Sequence, residues 1–199
     1  MGLNTDTSTR KEALPADVLL HTPLKLAQSG DVHYRAVSDF YEGKFAARTG
    51  LRYMNHIDEG LYVLDAIGAG RAAQQAYCLH PLFQSDPDIA KVTLDLAAQF
   101  EKWPLVLVTE YRHIANSYSS RKVIESLEKI RVSPLEEVRQ MLIADKIQNF
   151  KDFELYHKAT HPRSEYLNTY FSNWLQRLGV DTSFYRRMVE ELARGAHLR

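Results

Sequence analysis

One cysteine in 199 residues, Cys78, excludes an intrachain disulfide. Charge of one sign is lacking too: 25 Lys and Arg stand against 25 Asp and Glu, a formal net charge of zero. Nucleic-acid binders usually carry a basic excess to meet phosphate, so a nucleic-acid partner is not expected. A local basic pocket is still compatible with a neutral chain. No run approaches the roughly 18 apolar residues of a membrane span. The polar stretch from Met1 to Lys11 has no apolar leader core either. The expectation is a cytoplasmic protein without a membrane partner. Strict alternation of polar and apolar residues never persists beyond a few positions, which argues against strands. The run 105–108 is apolar enough for one, but its neighbours read as helix.

What is present is the composition of a globular domain, 45% hydrophobic and 25% charged. Residues 1–13 read as a flexible tail and 14–199 as one all-α domain, a helical bundle. Apolar positions at helical spacing open a first helix at Asp31 that runs out near Thr49 and Gly50. A second runs from about Asn55 to Gly68, and a third from Arg71 to about Phe83. Cys78 lies in that third run and reads as a small core residue. Pro87 opens a fourth helix, through Phe100, which Trp103-Pro104 breaks ahead of a fifth bearing Val108, Tyr111, Ile114 and Ala115. Ser133-Pro134-Leu135-Glu136 has the pattern of a capping box before a helix reaching Phe150. Two more follow, one from Thr160-His161-Pro162 to Gly179 and one from Ser183 to Arg194.

Three separated motifs are candidates for chemistry. The first is Arg48-Thr49-Gly50-Leu51-Arg52-Tyr53-Met54-Asn55-His56. The second is Ala76-Tyr77-Cys78-Leu79-His80-Pro81-Leu82-Phe83-Gln84-Ser85, and the third is Ile143-Ala144-Asp145-Lys146-Ile147-Gln148-Asn149. Their order resembles the hydrolase domain of the RelA/SpoT alarmone enzymes, of the HD superfamily, with Gln176-Arg177-Leu178-Gly179 matching a later helix end. The resemblance spans about residues 31–180. Without a synthetase domain behind it, the chain resembles the small stand-alone alarmone hydrolases.

That resemblance implies an HD-type, metal-dependent phosphohydrolase acting on a nucleotide phosphate. His56, His80 and Asp145 fall on three of the family's four metal ligands, for manganese, zinc or iron. Pro81 stands where the family has the fourth, an aspartate, and has no side-chain donor. Gln84-Ser85 replaces a Glu-Asp pair, and neither side chain titrates near neutral pH. Gln84 and Asp86 are the remaining candidates for the catalytic positions. Asp86 is shifted by one residue, about 100° around a helix, and its other role is to cap the helix at Pro87. Arg48, Tyr53, Lys146 and Asn149 are the candidate substrate contacts, with Lys146 also readable as surface charge. These departures keep a second class open, a degenerate site that binds a nucleotide or partner as a regulator. A di-iron oxygenase needs more His and Asp ligands than the motifs supply. His157 and His161 have metal-like i, i+4 spacing, but Thr160 and Pro162 end the helix between them. The polar stretch Glu110 to Tyr118 reads as an exposed helix face, with a pocket-lining role for Tyr111, Arg112 and His113 as its alternative. The oligomeric state is left open, a homo-oligomer included.

Overall fold

The computed structural model describes residues 26, 29–47, 49–119 and 127–198. Among them the fold is all-α, a helical bundle without a strand. Residues 1–13, read as a tail, lie outside that set.

The first helix, α1 (Val32–Phe40), starts where Asp31 accepts the His33 and Tyr34 amides. It stops well short of Thr49. Gly43 and Gly50 take positive φ angles, and the segment between α1 and the next helix closes on a single bridge from Phe45 to Arg52. Next comes α2 (Met54–Ala66), which ends as its glycine dictates. Gly68 turns left-handed, its amide bonds the Asp65 carbonyl, and the Ala69 amide reaches back to Leu64 at 2.8 Å. The third helix, α3 (Arg71–Leu79), is shorter than its apolar run, because Pro81 has no N–H to continue the ladder.

Two single turns, α4 (Asp86–Ile89) and α5 (Leu94–Ala97), stand in place of the expected fourth helix. Each has its own cap: Ser85 accepts from the Asp88 amide and Thr93 from the Leu96 amide. Thr93 therefore interrupts what the apolar spacing alone would join. Trp103 and Pro104 do not break a helix either; they lie in the first turn of α6 (Lys102–Ser117). A proline is tolerated there because the first four amides of a helix have no partner in it.

The long central helix is α7 (Glu136–Asp152), which widens into a π-helical turn at Phe153–His157. The capping box expected at its start does not form. Ser133 is buried, donates to Glu110 on α6 and accepts from the Leu135 amide, and α7 begins two residues late, at Glu136. After α8 (Ser164–Arg177), which ends at a left-handed Gly179, Asp181 caps α9 (Thr182–Ala193). The helix α7 packs against α2, α3, α6, α8 and α9, and α3 against α1 and α6. Their contact faces form one core, in which Trp174, Tyr77, Cys78, Leu61, Leu107 and Met141 are fully buried or nearly so. No helix among the described residues is long and apolar enough to cross a membrane.

Candidate metal centre

Three helices bring the motif residues together. His56 sits in the first turn of α2, His80 caps the C-terminal end of α3, and Asp145 lies mid-way along α7. Their donor atoms all lie within 4.8 Å of one another, with His56 Nε2 3.0 Å from His80 Nε2 and 3.7 Å from Asp145 Oδ1. Among the described residues this is the group of His, Cys, Asp and Glu donors able to hold a metal. It opens onto a cavity of about 710 Å³ whose wall includes Lys44, Arg52, Lys91 and Lys146 beside Tyr41 and Tyr53.

Backbone accounting fixes one imidazole. In an unbroken helix the residue 81 amide would bond the Tyr77 carbonyl; Pro81 has none to give. That carbonyl accepts from His80 Nδ1 instead, at 2.6 Å, so the His80 ring carries its proton on Nδ1 and presents a bare Nε2. Burial, and then His56, push the His80 pKa down to about 3, so it stays an uncharged ligand at neutral pH. Burial alone would raise the Asp145 carboxyl. Lys146, His56 and His80 outweigh it and hold the pKa at about 2, an ionised carboxylate. Lys146 Nζ bonds Asp145 Oδ2 at 2.7 Å, and the Asn149 amide bonds Oδ1 at 2.8 Å. Tyr111 rests its ring on His80, and its phenol pKa is raised well above the usual value by burial and by Asp145.

This donor set fits a divalent cation. Two nitrogens 3.0 Å apart subtend about 90° at an ion about 2.1 Å from each, and two imidazoles with one carboxylate on one face leave positions open.

The other motif residues divide. Asn149 and Lys146 line the cavity, and Lys146 is buried, not at the surface, its ammonium 5.1 Å from the Trp174 ring centre. Tyr53 lines the cavity mouth, 41% exposed and stacked on Tyr41. Gln84 also lines it, its side-chain amide donating to Asn116 Oδ1 and its backbone carbonyl accepting from the Asn116 amide. Asp86 is not on the wall. Its side chain is 89% exposed and paired with Arg112, and Ser85, not Asp86, caps α4. Arg48 lies outside the described residues. The face of α6 read as exposed is split: Tyr111, Ala115 and Asn116 face the cavity and His113 faces solvent. His157 ends the π-helical turn, and His161 follows it in a turn, accepting from the Arg163 amide.

Sequence reasoning missed Gln148 and Asp152, which line the cavity beside His56, and Glu59 behind them; hydrogen bonds join them to one another and to His56. A signal existed: Asp145, Gln148 and Asp152 are polar at the i, i+3, i+7 spacing that otherwise marks a core stripe. No family model matches the chain, and no curated protein or solved structure does either.

Proposed function

We propose that this chain is an HD-type, metal-dependent phosphohydrolase acting on a nucleotide phosphate of the alarmone kind. One observation carries the reading: two imidazole nitrogens and an ionised carboxylate converge on the wall of a cavity that also holds four cationic side chains. His56, His80 and Asp145 would hold the metal. A bound divalent ion supplies Lewis acidity to a phosphoryl oxygen and lowers the pKa of water. The chain's own residues do the rest. Lys146 and the rim cations Lys44, Arg52 and Lys91 neutralise phosphate charge, and Tyr53 on Tyr41 offers an aromatic face to a base. Asn149 holds Oδ1 of Asp145 in place.

A second reading, a nucleotide-binding regulator without turnover, is favoured by one feature. Gln84 cannot exchange a proton near neutral pH and is tied to Asn116, while Asp86 is turned out onto Arg112. Elemental analysis of the purified protein, coupled to a manganese-dependent phosphate- and pyrophosphate-release assay over a nucleotide panel including ppGpp, separates the two. The hydrolase reading expects near-stoichiometric manganese, zinc or iron in the wild type, loss of it in Asp145→Ala, and release that depends on metal. Metal and nucleotide binding without release would establish the regulator. Wild-type protein that holds no metal and ignores added manganese would end the metal-centre reading.

A further inference from the structure

The two histidines of the site are fixed by different means. His80 is set by the Tyr77 backbone carbonyl, but the acceptor facing His56 Nδ1, at 2.5 Å, is a side chain: Oε1 of Gln148. Gln148 is only 1% exposed, so its amide is satisfied by protein partners. Its orientation is decided by two carboxylates. The amide nitrogen gives its hydrogens to Glu59 at 3.0 Å and Asp152 at 2.8 Å. Reversing the amide would set its oxygen against both carboxylates and strand a buried polar network. The oxygen must therefore face His56, and the hydrogen bond then requires the proton on Nδ1.

Glu59 is itself immobile. It is 2% exposed and held 2.6 Å from the ammonium of Lys151, which is 1% exposed and also 2.8 Å from Asp152. Glu59 lies three residues after His56 on α2, so one rigid helix carries both the imidazole and the carboxylate that governs it through Gln148. The relay reaches from a closed ion pair in the core to a ring nitrogen at the cavity.

We propose that Gln148, oriented by Glu59 and Asp152, is a positioning residue that locks the His56 proton on Nδ1 and aims a bare Nε2 at His80 and Asp145. Its relevance to a metal rests on the reading above; the lock itself does not. Ligating histidines commonly owe their tautomer to such a partner, and losing it weakens metal binding by about 10- to 100-fold.

The test uses the full chain with 15N-labelled histidine, stripped of metal by a chelator, and long-range 1H–15N spectra at pH 8. The wild type should show His56 protonated on Nδ1. Gln148→Met, close in volume and without an acceptor, should release that proton to Nε2 and weaken zinc binding about 10- to 100-fold in equilibrium dialysis. His80 is the internal control: its tautomer is held by the Tyr77 carbonyl and should not change. A wild-type His56 protonated on Nε2 overturns the proposal, and that reading needs no variant to fold. So does a folded Gln148→Met in which His56 keeps its Nδ1 proton, or one whose tautomer moves while a measurable zinc affinity does not. If the tautomers behave as stated but neither protein binds zinc, the lock stands and the metal centre falls.

Discussion

Two lysines of α7 five residues apart, Lys146 and Lys151, each form a buried pair with a carboxylate, and the pairs do opposite things. Lys151 and Glu59 form a closed pair, with 2% and 3% of their side chains exposed. Glu59 spends its oxygens on Lys151 and Gln148, and Lys151 adds Asp152, so no donor or acceptor is left for a ligand. Lys146 and Asp145 form an open pair. They are nearly as buried, at 8% each, yet both line the cavity, and Asp145 Oδ1 looks across 3.7 Å at His56 Nε2. Burying charge is costly in either place. The closed pair returns that cost as a fixed scaffold behind the site, the open one as charge facing whatever enters. Buried charge by itself does not mark a site; a coordination position left facing a cavity does.

Breaking the closed pair should give the largest effect. Glu59→Met leaves the buried Lys151 with Asp152 as its remaining carboxylate, and removing one partner of a buried pair costs up to about 3–5 kcal/mol. Urea unfolding should show that loss. Glu59→Met with Lys151→Met should recover much of it, since two apolar side chains can fill the space without an unpaired charge. A double variant no more stable than the single would mean that Lys151 is not what Glu59 stabilises.

Gly60, beside Glu59 on α2, ties the two regions together. A Cβ there would meet the Tyr77 ring at 2.1–2.3 Å, and Tyr77 is fully buried between Gly60 and His80. A rigid ring in a packed core cannot step aside, so Gly60→Ala should cost about 1–3 kcal/mol. It should also disturb the His80 ring, visible in the same histidine spectra. A neutral Gly60→Ala would show the Tyr77 ring to be looser than its burial implies.

Opening the front pair should act on binding more than on stability. Lys146→Met leaves Asp145 with Asn149 and a cavity to face, so the unfolding midpoint should move less than in Glu59→Met. Losing a charged contact to phosphate is worth about 1.5–3 kcal/mol, so nucleotide affinity should fall by at least about tenfold in calorimetry. Zinc should still bind, because no ligand is removed. Equal damage to stability in both variants would erase the distinction between the pairs.

Much of this architecture is legible in residues that act locally. Asp31, Gly68 and Gly179 set helix ends through their own caps or backbone, and the structure has them there. The turns at Thr93 and Ser133 were hidden because competition decides them. Thr93 caps a new turn where spacing alone favours continuity, and Ser133 bonds Glu110 on another helix in preference to its own. The site divides in the same way. Motif order brought out His56, His80 and Asp145, which do converge. It could not bring out Gln148, whose part depends on which two carboxylates happen to sit behind it. Lys146 read as surface charge because periodicity sees a lysine and not the Asp145 carboxylate that makes its burial tolerable.

The smallest effect should come from Asp86, the one acidic residue near the motif that the sequence offers as a replacement for the lost carboxylates. Its side chain is 89% exposed and its partner is Arg112 on α6, away from the cavity wall. An ion pair so open to water is worth about 0–1 kcal/mol, because solvent screens it and both side chains lose freedom in forming it. Asp86→Ala should therefore shift the unfolding free energy by less than about 1 kcal/mol. It also keeps Ser85 as the cap of α4, so the turn should survive. Metal content and any nucleotide release should remain within about threefold of wild type, a barrier change of less than about 0.7 kcal/mol. A drop of about a hundredfold in release, with metal content intact, would mean that α4 swings during turnover and carries Asp86 inward. The missing acid would then be supplied by movement of the turn that Ser85 caps.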